Sequence, residues 1–370
     1  MSDIAIGAEE HHEHEHPSWL AHHFDDAEQQ FDAGKLGMWL FLVTEVLFFS
    51  GMFCAYALYR NMNPAIYEFA SQFLNAKLGA INTGVLLFSS LTMAWAVRAA
   101  QLSQHRTLIS MLAMTLSCAA IFLGVKAVEY SHKWSIGLLP GKHYITQGTG
   151  YHSEVPYLVY LCIPAGICLI LFFAWYFITL VKSDSVQRQI SGPLLVAALC
   201  FFGGVGLGSY LEWLEEKEHH AHTAQHSDHG HGDHGHGDHG HGHTDSSHAQ
   251  EAVPAVAATV NSVVLTSATT SISQAHPDQV LVDPKYVGIE HPEVNQKSKA
   301  GIFFGIYYCM TGVHAVHILG GMVVITWLIV KAARKEFHSK YFGPVDNVGL
   351  YWHLVDFIWI YLFPLLYLIK

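Results

Sequence analysis

Long apolar blocks with almost no charge inside them limit the folds open to this chain more than any other feature. They run over Leu36–Arg60, Gly79–Ala100, Leu108–Tyr130, Pro156–Val181, Pro193–Trp213, Gly301–Val330 and Val348–Ile369. Each holds about 20 residues or more, and at about 1.5 Å of helix rise per residue that spans a hydrocarbon layer about 30 Å thick. In lipid every backbone N–H and C=O needs a partner within the chain, so a lone span must be a helix. The expected fold is an all-α, polytopic transmembrane bundle of about seven helices. Only 13% of the residues are charged, against about 25% in an average soluble domain, and no nucleic-acid partner is expected.

The segment 1–35 is acidic and histidine-rich, with His11, His12, His14, His16, Asp25, Asp26 and Glu28. It lacks the basic start of a secretory leader, so the first helix is expected to stay in the mature chain. Residues 36–134 hold three helices, 135–213 a further pair, 214–299 a long connection, and 300–370 the last two helices. All six cysteines (Cys54, Cys118, Cys162, Cys168, Cys200, Cys309) fall inside spans without a Cys-x-x-Cys pair. They read as small buried apolar residues, not as disulfides or metal ligands.

Lys and Arg in the short loops set the threading. An inside N-terminus places Arg98, Arg106, Lys182, Arg188, Lys331, Arg334, Lys335 and Lys340 in the cytoplasm, and leaves Arg60, Lys77, Lys133 and Lys142 outside. The C-terminus and the connection 214–299 are then external. That connection alternates His229, His231, His234, His236, His239, His241 and His243 with Gly and Asp, then turns Ala/Val/Thr/Ser-rich. Neither part can build a core. Its imidazoles could hold Zn2+ or Cu2+ loosely, or the stretch could be a solvated spacer. Ala252–Ala268 is too polar for a span, and an eighth helix there would send the basic loop outside.

Several polar residues stand inside the spans. Glu45 lies near the bilayer middle, where a bare charge costs about 2.5–3.5 kcal/mol; it is either a protonated acid bonded to a neighbouring helix or a proton-handling or subunit-contact group. Lys126 and Glu129 are spaced i,i+3 on one helical face, as a structural ion pair or a lipid-headgroup or partner contact. His314 with His317, and His353 with Asp356, share the same spacing on the last two helices. Two such faces could meet at a metal, or simply hydrogen-bond between helices. Gly204 and Gly208 offer a close-approach face for another helix. The dense aromatics, Trp39, Phe48, Trp352 and Trp359 among them, read as packing and interfacial belts. No phosphate-cradling loop, nucleophile elbow or repeated histidine pair of the heme-ligand type occurs, so the chain is expected to carry no redox chemistry alone.

Taken in order, the motifs resemble a known family. Gly37-Met38-Trp39-Leu40-Phe41-Leu42-Val43-Thr44-Glu45-Val46-Leu47-Phe48-Phe49 is similar to the opening core helix of cytochrome c oxidase subunit III. Asn82-Thr83 before Val85-Leu86-Leu87 resembles its next helix, and Lys126-Ala127-Val128-Glu129-Tyr130 the third. Thr311-Gly312-Val313-His314-Ala315-Val316-His317 with Gly320, and Tyr351-Trp352-His353-Leu354-Val355-Asp356-Phe357-Ile358-Trp359, resemble the last two. The likeness covers about Gly34–Trp134 and Ala300–Lys370.

The resemblance implies a subunit without a redox centre, beside the catalytic heme-copper subunit I and the copper-containing subunit II. It implies bound phospholipid, help with proton uptake, and heme and copper held by the partners; cytochrome c is met only through the complex. Two departures stand out: the two helices that open longer members have no counterpart here, and a helix pair with the histidine-rich connection is inserted between about Pro140 and Lys299. The missing helices form one wall of the family's lipid cleft. A quinol-oxidase or nitric-oxide-reductase-type subunit III is the nearer alternative. A divalent metal (zinc) transporter using His314, His317, His353 and Asp356 is the more distant one.

Overall fold

The computed structural model describes residues 24, 26–144, 153–227 and 300–369. Among them lie eight helices: α1 (Ala27–Met62), α2 (Pro64–Ser71), α3 (Ala76–Gln101), α4 (His105–Ser135), α5 (Tyr157–Val181), α6 (Ser185–Ser227), α7 (Ala300–Ala333) and α8 (Gly343–Tyr367). Seven of these are long and apolar enough to cross a membrane, and no strand occurs among the described residues. Fold class and span number therefore agree with the sequence.

Local chemistry sets where the helices begin. The Asp26 carboxylate accepts from the Gln29 N–H at 2.7 Å, and Asn75 Oδ1 from the Leu78 N–H at 2.9 Å, each satisfying a donor that has no partner within the helix. Pro64 and Pro344 stand in first turns, where a missing N–H leaves no bond unmade. Because Asp26 caps it, α1 starts well before Leu36, where the apolar block begins. The short helix α2 was not foreseen. It buries Ile66, Tyr67, Phe69 and Ala70, and the Tyr67 ring meets Tyr56 and Phe303 edge-on at 5.3 and 5.1 Å.

One boundary needs correction. Residues from 214 onward were expected to leave the membrane as a loop, yet α6 stays helical to Ser227. Its 43 residues make about 65 Å of helix. Leu214-Glu215-Glu216-Lys217-Glu218 consists of strong helix formers, which carry the helix beyond its apolar part. The rest of that connection, with His229, His231, His234, His236, His239, His241 and His243, lies outside the described residues, as do residues 1–23.

The core sits where α3, α4, α7 and α8 meet, around Trp352, Trp359, Phe122, Phe304 and Tyr307. Indole N–H groups tie α8 to α3: Trp352 Nε1 donates to Ser89 Oγ at 2.8 Å and Trp359 Nε1 to Thr83 Oγ1 at 3.1 Å. The two helices run antiparallel. On the other side α6 packs parallel to α4 at backbone distance. A Cβ on Gly204 would stand 2.4 Å from the Ile121 carbonyl oxygen, and one on Gly124 2.2 Å from that of Phe201. Outside α6 and α4, α5 turns Ile163, Ile167, Ile170, Phe173 and Phe177 outward. So continuous an apolar surface suits lipid or a partner as its surroundings.

Candidate functional site

Three groups of polar side chains stand inside this apolar bundle. The densest is at the end of the bundle that carries α2. Glu129 and Lys126 on α4 pair at 2.7 Å, and Lys133, one turn further, reaches the other carboxylate oxygen at 2.7 Å. Tyr307 of α7 and Tyr367 of α8 donate to that same Oε1 at 2.9 and 2.6 Å. Lys126 also donates to the Tyr367 hydroxyl at 2.5 Å, and its ammonium lies 4.5 Å from the Trp359 ring centre. Glu129, Lys133 and Lys126 are 2%, 2% and 5% exposed, so no lipid headgroup reaches them directly. One carboxylate here bridges two ammonium groups and fastens three helices. Charges so deeply placed are tolerable only when paired and hydrogen-bonded, and each charged group here has at least one such partner.

Lys126 and Glu129 were the pair read from spacing, while Lys133 had been counted as a loop charge. Its i+4 place after Glu129 was the available signal. Tyr307 and Tyr367 carry no local mark of their role, since only the packing of α7 and α8 brings them in.

The second group joins α1 to α7. His317 Nε2 lies 2.9 Å from Glu45 Oε2, and the two side chains are 19% and 18% exposed. His317 Nδ1 lies 2.8 Å from the Val313 carbonyl oxygen. A carbonyl only accepts, so Nδ1 carries the hydrogen. The Glu45 contact therefore holds one shared proton, drawn either as a neutral acid donating to neutral imidazole or as a carboxylate accepting from imidazolium. Phe49 meets the imidazole edge-on at 5.1 Å, and the Tyr351 hydroxyl donates to the His317 carbonyl oxygen at 2.8 Å. Glu45 sits on a helix that the rest of the chain covers thinly, as it does α5.

The third group separates residues that sequence spacing had allowed to converge. His353 Nδ1 lies 2.6 Å from Ser90 Oγ of α3. Asp356 is buried beside the same Ser90 hydroxyl, and no hydrogen bond of ordinary geometry reaches either of its oxygens among the described residues. His314 is buried against Phe122 and Trp359. His353 and Asp356 both face Ser90 while His314 and His317 turn to other neighbours, and no set of three or more His, Cys, Asp or Glu is placed to hold a metal among the described residues. An unpaired buried polar group costs about 1–3 kcal/mol, so His314 and Asp356 are expensive residues to keep.

The sequence profile of cytochrome c oxidase subunit III matches residues 22–180 and 285–370. It runs past Trp134 through nearly all of α5, so the unmatched stretch is 181–284, holding α6 and the histidine-rich connection. A protein of Aeropyrum pernix named heme-copper oxidase subunit I+III is 37% identical over 71 residues, 19% of this chain and 9% of that one. A probable cytochrome c oxidase subunit 3 of Nocardia farcinica is 28% identical over 86 residues, 23% of this chain and 41% of the relative. Cytochrome c oxidase subunit 3 of Thermostichus vulcanus is 35% identical over 72 residues, 19% and 36% of the two chains. The chain spans less than half the length of each of these curated relatives. No solved structure matches. With the family profile matching more than half of its residues on both sides of the unmatched stretch, and five helices bearing the family's motifs in order, the chain belongs to the cytochrome c oxidase subunit III family.

Proposed function

We propose that this chain is the non-redox third subunit of a cytochrome c-type heme-copper terminal oxidase in a bacterial inner membrane. There it supports assembly and proton supply of catalytic subunit I, with copper-bearing subunit II in the same complex. The observation that supports this best is the 2.9 Å Glu45–His317 contact, midway along the thinly covered helix α1, where a proton could be held. Leu36, Trp39, Leu40, Val43, Leu47 and Phe48 extend that helix's exposed apolar surface, which subunit I would cover. The Aeropyrum relative, named as subunits I and III in one chain, supports that neighbour.

Phospholipid belongs to the same proposal. An apolar cavity of 330 Å³ between α1, α7 and α8 is lined by Met38, Phe41, Val324 and Tyr351. A second cavity, of 370 Å³, is lined by Gln30, Lys340 and Tyr341. Asn347 borders both. The first suits part of an acyl chain and the second a polar headgroup with negative charge. Heme and copper would reside in the partner subunits, since no three His, Cys, Asp or Glu side chains come together to hold a metal among the described residues.

A tag on this chain should bring down heme- and copper-containing subunits whose preparation oxidises reduced cytochrome c. Recovery without heme or copper subunits would overturn the proposal, and oxidation of quinol in place of cytochrome c would favour the quinol-oxidase branch.

A further inference from the structure

His314 is fully buried in the middle of α7, yet neither of its ring nitrogens has a hydrogen-bond partner among the described residues. Its ring faces are accounted for. The imidazole stacks on Trp359 at 5.3 Å and 29°, and meets Phe122 edge-on at 5.7 Å. A phenylalanine would make those ring contacts without burying polar atoms. A neutral imidazole carries one N–H and one lone pair whichever tautomer it adopts, so one donor and one acceptor are left over together.

The charged and titratable groups acting on His314 are Lys126 of α4 and His317 on its own helix. Lys126 already serves Glu129, the Tyr367 hydroxyl and the Trp359 ring. His317 is occupied by Glu45 and the Val313 carbonyl. Neither can turn to His314 without losing a partner. A small molecule that donates and accepts at once answers both needs, and water has that chemistry. A cation does not fit, because the Lys126 ammonium acts on the same ring and no metal-ligand set forms here among the described residues. Asn82 of α3 and Asp356 of α8 hold unpartnered buried polar atoms as well, so the demand for internal water extends beyond one residue.

His314 also occupies a particular place. It lies one helical turn from His317 and shares the Trp359 ring with Lys126. We propose that His314 binds ordered water inside the bundle, and that this hydrated imidazole links the Glu45–His317 contact to the Lys126–Glu129–Lys133 centre, so that a charge change at one is felt at the other. The link rests on the hydration of His314, not on the identity of the oxidase.

A high-resolution cryo-electron microscopy map of the membrane complex isolated through a tag on this chain tests the first half. Density for water within hydrogen-bond distance of both ring nitrogens is expected; a dry, well-resolved His314 would overturn it. Infrared spectroscopy tests the second half, with the Glu45 carboxyl band assigned by its loss in Glu45→Gln. Lys133→Met removes a charge at the far centre and should move that band. In His314→Phe, which keeps the ring contacts, the movement should vanish; in His314→Gln, which keeps a donor and an acceptor, it should persist. The same movement in the Phe and wild-type backgrounds would show that the two centres are not joined through His314.

Discussion

Glu129 accepts from Lys126, Lys133, Tyr307 and Tyr367, so the consequences of removing each partner differ in a fixed order. Glu129→Gln leaves two buried ammonium groups without a counter-charge, a situation that costs about 3–5 kcal/mol. Lys126→Met should cost less, because Lys133 still pairs the carboxylate, though the Tyr367 and Trp359 contacts are lost as well. Lys133→Met should be the mildest, since the carboxylate keeps Lys126 and both phenols. Thermal inactivation of the purified complex should therefore rank Glu129→Gln as least stable and Lys133→Met nearest wild type; equal stabilities would mean that the centre is not holding the helices. Glu45 calls for a different readout. Glu45→Gln can still hydrogen-bond His317 Nε2 but holds no titratable proton, so assembly and heme content should be normal. Turnover, or its lifetime, should decline most at alkaline pH, where protons are scarce. Glu45→Ala leaves the imidazole unpaired at a cost of about 1–3 kcal/mol and should lower assembly too. Turnover and lifetime equal to wild type in Glu45→Gln across the pH range would leave Glu45 only a bonding role.

Between helices, the α4–α6 contact depends on the absence of side chains at particular places. Gly124 and Gly204 face backbone atoms that cannot move aside, whereas Gly203 and Gly206, on the same helix as Gly204, have nothing within 4 Å of a Cβ. Gly204→Ala and Gly124→Ala should each destabilise by about 1–3 kcal/mol through overpacking, and Gly203→Ala and Gly206→Ala should be silent. Chemical denaturation of the detergent-solubilised chain would read this, and a uniform response of the four would remove the close contact. Span number, helix class and the glycine face could be read in the sequence because a hydrophobic run of fixed length has one solution in lipid, and because Gly at i and i+4 marks one side of a helix. The side chains' partners could not. Spacing put His314 with His317, but helix rotation turns one to Trp359 and the other to Glu45 on α1, a contact across 272 positions in the chain. The helical continuation of α6 was missed because the span boundary was drawn where apolarity ends, while helix formation follows backbone propensity beyond it.

At the scale of the whole bundle, contacts between helix ends decide which loops share a side. Ser103 Oγ in the α3–α4 turn accepts from the Ser339 N–H in the α7–α8 connection at 3.0 Å, and Lys35 near the start of α1 pairs with Asp346 at 3.1 Å. Arg98, Arg106, Lys331, Arg334, Lys335 and Lys340 thereby gather at one end of the bundle. At the other end α2, the Gly141–His143 turn and the Glu129 centre come together, and the burial of Lys133 removes a positive charge from that surface. By the positive-inside rule the end that gathers these basic residues is expected to be the cytoplasmic one. Gln104, in the exposed α3–α4 turn, and Glu154, before α5, provide reporters on the two ends. With the native cysteines replaced, Glu154→Cys should react with a membrane-impermeant maleimide on intact cells, and Gln104→Cys only after permeabilisation. The reverse pattern would invert the threading and carry the 214–299 connection to the cytoplasm. Labelling of both sites on intact cells would mean that the ends of the bundle are not separated by the membrane at all.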